Sequence, residues 1–344
     1  MRLGLVGYGL GGRYFHAPFI EAATDVDLVG VVTTSKERRR ELETDFPGMA
    51  VYDSMTDLLT AGVDAVTITT PPQTRRALVL EAVAAGVPVI ADKPFAPTAA
   101  AGRELVEAAE SAAVPVSVFH NRRWDANVRT LKKVLDSGDL GDLWSIESRF
   151  ELDLAAYLDR GPEGGLLRDL GAHLVDQMVW LLGPVAAVYC VMDWIDFPEG
   201  RTDAFFAIVM KHASGVRSTV TASKVNRLVA REFRAYGTDG SYVARTTDVQ
   251  AEAVTSGVRP VHLGDAWGYD AEPFWGTLST SRGSVIVPSE QGAYQDYYTQ
   301  FARALRGDGD FPVPARDALP TLEVLDAARL SESTGEVVHL AEGA

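Results

Sequence analysis

Three groups of residues in this chain have types and spacings that could do chemistry. The first is Lys93 in "VIADKPFAPT", residues 89–98, where an apolar strand pattern is stopped by Pro94 and Pro97. Ligands of open α/β sheets bind beyond the carboxyl ends of the strands, and an amine there can hold a reacting hydroxyl oxygen and pass a proton. The second is Asp169 with His173 in "GGLLRDLGAHLVD". Four apart in a helix, they share a face, and a carboxylate beside an imidazole fixes its tautomer and favours its protonated form. That suits a group that takes a proton as an alcohol becomes a carbonyl. The third is the run Gly7, Tyr8, Gly9, Leu10, Gly11, Gly12, which has the spacing G-x-G-x-x-G between an apolar strand pattern and the helix-compatible "RYFHAPFIEAA". Its glycines would allow a tight turn, close approach of backbone to a pyrophosphate, and close packing of helix on strand.

Each group also has a bland reading. A lone lysine at a strand end is usually a surface residue, an Asp/His pair at this spacing is usually a helix-face pair, and a glycine turn need bind nothing. Their occurrence together, in a chain with the right alternation of elements, favours the chemical reading. The glycine run is not a nucleoside-triphosphate loop, because Arg13 and Tyr14 stand where Lys and Ser/Thr are needed. No metal is expected: His16, His120, His212, His262 and His339 form no ligand spacing with the pair, and Cys190 is the one cysteine. At the end of the second strand, where NAD binders usually carry a carboxylate, the chain reads "VVTTSKERRR". Thr33, Thr34 and Ser35 offer hydroxyls, and Lys36, Arg38 and Arg39 offer charge, a set suited to a 2′-phosphate. NADP is favoured over NAD, which stays possible. Glu37 keeps open the reading of this stretch as a solvated helix face.

The elements that must position these residues follow from the pattern. Through residue 120, short Val/Ile/Leu runs ("RLGLVGY", "DLVGVVT", "AVTITT", "VPVIAD", "VPVSVFH") alternate with amphipathic stretches, the rhythm of a doubly wound parallel sheet covered by helices on both faces. Pro18 is expected to keep the first helix short or kinked. After 120 come two helical runs and then consecutive strand-like stretches, "PVAAVYCVMDWI", "DAFFAIVMKHA", "GVRSTVTASKV" and "EFRAYGTDGSYVAR", which predict a large, mostly antiparallel sheet. The expected domains are 1–120 and 121–344, in keeping with a 344-residue chain. A net charge of −15 disfavours nucleic acid, which needs concentrated Lys/Arg. No apolar run could span a membrane, no export signal is evident, and a single cysteine fits a reducing cytoplasm. One face of the antiparallel sheet is expected to lack helices and to invite a symmetric partner, giving a homodimer or homotetramer.

These residues resemble the Gfo/Idh/MocA oxidoreductases over nearly the whole chain. The resemblance rests on the three glycines, on "TTPPQTRRALVLEAVAAGVPVIADKP" in the place of the family's Glu-Lys-Pro segment, on "FHNRRWD", on "GGLLRDLGAHLVDQ", and on a helical tail followed by "VVHL". "YFHAPFI" and "FHNRRWD" are most similar to the branch of NADP-dependent scyllo-inositol dehydrogenases. The resemblance implies an N-terminal Rossmann domain and a C-terminal α+β substrate and oligomerisation domain. It further implies Lys93, Asp169 and His173 as catalytic residues, Asn121, Arg123 and Trp124 at the substrate, and Thr70, Pro71 and Asp92 along the cofactor. Asp92 departs from the family's usual Glu, Arg75 stands where His is frequent, and "ELDLAAYLDRGPEGG" is short. The expected activity is hydride transfer between the nicotinamide of NADP and a secondary alcohol of a cyclic polyol or sugar. The alternatives are a dinucleotide-sensing regulatory protein of the same fold without chemistry, and, behind it, a metal-dependent hydrolase.

Overall fold

The structure is a computed structural model and describes residues 1–162 and 164–341. Its first sheet collects the short apolar runs as β1 (Arg2–Val6), β2 (Asp27–Val32), β3 (Val51–Tyr52), β4 (Ala65–Ile68), β5 (Val89–Asp92) and β6 (Val116–Phe119). All pairings are parallel, in the order β3-β2-β1-β4-β5-β6. Every residue of β4 and β6 is buried, as strands covered on both faces require. Polar caps start three of the helices: the hydroxyls of Ser35, Ser54 and Thr98 accept from the backbone N–H of Arg38, Asp57 and Ala101. The strand order reverses between β1 and β4, and this switch point is where open α/β sheets bind ligands.

The second sheet has nine strands: β7 (Leu143–Asp153), β8 (Val185–Phe197), β9 (Gly200–His212), β10 (Arg217–Ser223), β11 (Val225–Gly237), β12 (Gly240–Thr246), β13 (Gly276–Thr280), β14 (Gly283–Val287) and β15 (Val338–His339). They lie in the order β14-β13-β12-β11-β7-β10-β9-β8-β15, and only β7 with β10 is parallel. Alternation is clean in the long strands: Ile146, Phe206, Ile208, Val220 and Phe233 are buried, while Tyr189, Val191, Val209 and Val243 on the other face are exposed. The buried face takes its helices from Ala172–Leu182 and Leu319–Thr334; Ser331 of the latter accepts from the Cys190 N–H at 3.0 Å.

The chain divides into two compact units. One comprises Met1–Trp124, Gln250–Trp267 and Ala293–Leu319; the other comprises Asp125–Val249, Gly268–Gly292 and Pro320–Ala344. A single boundary at residue 120 therefore does not describe the division, because two later segments pack with the first sheet. The reason is specific pairing that local patterning does not carry: the Arg259 guanidinium reaches Glu21 and the Asp45 carbonyl, and Arg316 pairs with Glu110. Among the described residues no helix is long and apolar enough to cross a membrane.

Candidate active site

The glycine run leaves β1 in the geometry its spacing predicts. Gly7 has φ +106°, open to glycine alone without strain, and a Cβ on Gly12 would lie 2.2 Å from the Gly7 carbonyl oxygen. A Cβ on Gly11 would lie 2.6 Å from the Thr69 hydroxyl, whereas one on Gly9 would meet nothing within 4 Å. Gly11 and Gly12 thus let the turn close on the sheet, and Gly9 presents bare backbone to open space, the cradle a pyrophosphate needs. The helix that follows is π-helical over Gly11–His16 and α-helical only over Ala17–Ala22, so it is as short as Pro18 predicted. Leu10 is exposed. Tyr8 turns the other way: its ring is buried with Leu5, Ala17, Val31 and Leu42, and its hydroxyl donates to Asp45 at 2.9 Å. Only the backbone of Tyr8 is left to face a cofactor.

At the end of β2 the structure separates cations that look alike in the sequence. Arg38 pairs with Glu41 at 2.6 Å, and Glu41 also receives Arg13 at 2.6 Å. Arg39 donates to the Thr33 carbonyl and pairs with Asp53. Lys36 is exposed and has no acidic partner among the described residues. Thr34 and Ser35 are exposed beside it, while Thr33 is buried and its N–H donates to the Tyr52 carbonyl. Of the three basic residues expected at a 2′-phosphate, Lys36 is the one whose charge is uncommitted.

The exit of β5 is built around Asp92. One carboxylate oxygen accepts from the Lys93 N–H at 2.8 Å; the other accepts from the Thr69 hydroxyl at 2.8 Å and lies 3.4 Å from His16 Nε2. Burial pushes this carboxyl upward, but His16, Arg75 and Lys93 outweigh it and hold it well below the usual carboxylate range. The same oxygen would be 3.3 Å from a Cβ on Gly11, so the group packs directly under the glycine loop. A glutamate is one methylene longer; aspartate at this position reaches both its own chain and the loop. Arg75, buried, donates to the carbonyls of Thr70 at 2.8 Å, Asp92 at 2.7 Å and Pro94. It clamps the exits of β4 and β5 together and so sets the path of Thr70, Pro71 and Lys93. The Lys93–Pro94 bond is cis. His16 in turn lies 2.6 Å by Nδ1 from the Tyr298 hydroxyl and stacks on Phe119 with ring centroids 4.4 Å apart.

Asn121, Arg123 and Trp124 form one 3-10 turn after β6. Asn121 is buried, Arg123 is half-buried, and the Trp124 ring packs edge-on against Tyr297 at 5.4 Å.

Lys93 belongs to the first unit, and Asp169 and His173 to the second. Their segment is π-helical over Leu167–Gly171 and α-helical from Ala172, so the pair spans a change of helix type instead of one regular helical face. The π-turn is pinned at its start. The Leu167 N–H donates to Asp203 at 2.6 Å, and a Cβ on Gly165 (φ +94°) would come within 1.8 Å of the same carboxylate. Burial raises the Asp203 carboxyl, opposed by the backbone N–H groups it receives. Asp169 pairs with Lys224 at 2.5 Å, and His173 is buried. His16, Arg75, Asp203, Lys224 and Tyr298 had no local signature of this kind. Arg75 stands out only through the resemblance, and a buried lysine between two strands resembles any polar residue at a turn.

Residues 1–120 match the model of an oxidoreductase family with an NAD-binding Rossmann fold, and residues 128–243 match that of the GFO/IDH/MocA C-terminal domain. The uncharacterized oxidoreductase YdgJ of Escherichia coli is 34% identical over 95% of this chain and 94% of its own. Scyllo-inositol 2-dehydrogenase (NADP(+)) IolW of Bacillus subtilis is 28% identical over 99% and 96%. The structure of YPO2259 from Yersinia pestis superposes with a TM-score of 0.91 at 30% identity, covering 100% of this chain and 98% of that one. Matched by both family models over most of its length and by a relative at 34% identity, the chain belongs to the Gfo/Idh/MocA family of oxidoreductases with an NAD-binding Rossmann fold.

Proposed function

We propose that the protein is an NADP-preferring dehydrogenase that oxidises a secondary alcohol of a cyclic polyol or sugar, or reduces the corresponding ketone. The observation that carries this reading is the placement of Lys93: it leaves the sheet right after a carboxylate packed under the glycine loop, at the ligand-binding end of the strands. The preference for the 2′-phosphate is supported by an exposed Lys36 without an acidic partner among the described residues and by hydroxyls where a carboxylate would repel phosphate. The polyol class is supported by relatives named for scyllo-inositol and D-apiose.

A bound nicotinamide would supply or accept the hydride. The backbone at Gly9 would hold the pyrophosphate in a turn that Gly7 and Gly12 let close, and Thr34, Ser35 and Lys36 would hold the ribose end. Thr70, Pro71 and Asp92 would line the remainder. In the oxidation direction the Lys93 ammonium would hold the alcohol oxygen, His173 would take its proton, and Asp169 would orient a substrate hydroxyl or the imidazole. Asn121, Arg123 and Trp124 would border the substrate. In this reading the helix-free face of the nine-stranded sheet meets a second copy of the chain. Glu147, Arg149, Glu232 and Arg234 alternate in sign across a groove there, a self-complementary pattern, and Tyr189, Val191 and Val209 lie exposed on the same face.

The test is a screen of inositols and sugars with NADP and with NAD, read at the absorbance of the reduced cofactor. Turnover with NADP is expected, together with a fall in kcat of about 100-fold or more in Lys93→Met and His173→Ala. Wild-type turnover in Lys93→Met would end the assignment. Light scattering of the purified protein reads the oligomer, and a monomer would refute the self-association.

A further inference from the structure

We infer that Lys224 is a positioning residue of this reaction: it holds the carboxylate of Asp169 and fastens the Leu154–Tyr157 turn to it. The inference rests on the reading above that Asp169 serves the reacting site.

Lys224 lies between β10 and β11, where regular pairing breaks. Val225 faces Asp153 and the next paired residue is Ala230 opposite Glu151, so the register shifts across residues 226–229 of β11. From this junction the lysine makes three connections. Its ammonium is 2.5 Å from Asp169 Oδ2 and donates to the Tyr157 carbonyl at 3.1 Å, and its own carbonyl accepts from the Leu154 N–H at 2.9 Å. One residue thus joins both ends of a surface turn to the carboxylate in the π-helix.

Burial shows what the pair is for. The Lys224 side chain is 10% exposed and that of Asp169 is 35% exposed. A carboxylate open to that extent can take its solvation from bulk water without a buried cation. The ammonium carries the desolvation, and an apolar side chain of the same length would avoid it. What the lysine supplies is geometry: one direction for the Asp169 carboxylate and one position for the turn. The start of the same π-helix is held by the Asp203 carboxylate on the Leu167 N–H. Asp169 is therefore held through its side chain by Lys224, in a π-helix whose first residue is held by Asp203.

The test compares Lys224→Met, Lys224→Arg, Asp169→Asn and the Lys224→Met/Asp169→Asn double variant, with folding checked by circular dichroism. Lys224→Met is expected to lower kcat at least tenfold with the KM for NADP unchanged, and Lys224→Arg to recover part of the loss. The double variant should be no slower than Asp169→Asn within about twofold, because residues acting through one another are non-additive. Losses that multiply, or a Lys224→Met enzyme with lowered thermal stability and unaltered kcat, would overturn the inference. A second measurement needs no turnover. With 15N,13C-labelled lysine, one slowly exchanging ammonium resonance is expected in the wild type and should vanish in Asp169→Asn. Its absence from the wild type, or its persistence in the variant, refutes the pairing. Failure of the wild type on every polyol and sugar would instead refute the dehydrogenase reading, and the resonance would still decide whether Lys224 holds Asp169.

Discussion

His16 Nδ1 and the Tyr298 hydroxyl lie 2.6 Å apart across 282 residues of chain. The other ring nitrogen, Nε2, lies 3.4 Å from Asp92, so the tyrosine orients the imidazole that faces the carboxylate under the glycine loop. Burial lifts the Tyr298 hydroxyl well above its ordinary pKa, with Tyr297 and Asp92 adding to the effect, so it stays protonated. Tyr298→Phe leaves a buried ring nitrogen without its partner and is expected to lower unfolding free energy by about 1–3 kcal/mol, measured by urea titration. An unchanged midpoint would show that the bond contributes nothing.

The Asp92 carboxyl makes folding acid-sensitive. Its folded pKa is depressed below that of an unfolded aspartate, so the unfolded chain binds more protons in the window between the two values. The stabilisation is fully present above about pH 4, the unfolded value, and is lost as pH falls toward the folded one. Asp92→Asn should flatten stability against pH below that point while leaving a curve of similar shape above it. Thermal melts from pH 2.5 to 7 read this directly, and parallel acid limbs would place the sensitivity elsewhere.

Cofactor preference should turn on Lys36 more than on Arg38, because Glu41 already engages Arg38. Lys36→Glu is expected to shift the ratio of NADP to NAD dissociation constants at least tenfold toward NAD, about 1.4 kcal/mol. Arg38→Ala should shift it less. Fluorescence titration with the two reduced cofactors gives both ratios, and the reverse ranking would contradict the assignment.

Gly165 has a positive φ and the Asp203 carboxylate where a side chain would begin. Gly165→Ala combines backbone strain with a clash and is expected to destabilise the protein by roughly 2–3 kcal/mol. Adding Asp203→Ala to it should not recover stability, since the Leu167 N–H then loses its acceptor. A neutral Gly165→Ala in denaturant titration would show that the turn can move.

What the amino-acid order alone determined was local. Near-continuous apolar runs marked β1, β2, β4, β5 and β6, prolines and glycines marked their exits, and the glycine spacing marked the cradle, because strand period, φ restriction and turn chemistry act within a few residues. Lys93, Asp169 and His173 stood out for the same reason. The tertiary structure alone decided which charges are committed and which segments return to which sheet. Lys36, Arg38 and Arg39 are equivalent as letters; Glu41 and Asp53 divide them. Tyr298 meets His16, Arg75 gathers three carbonyls, and Lys224 reaches Asp169 because chain closures spanning from 5 to 282 residues bring them there. An ion pair or buried hydrogen bond is a property of two positions in space, and no periodicity in either stretch of chain carries it.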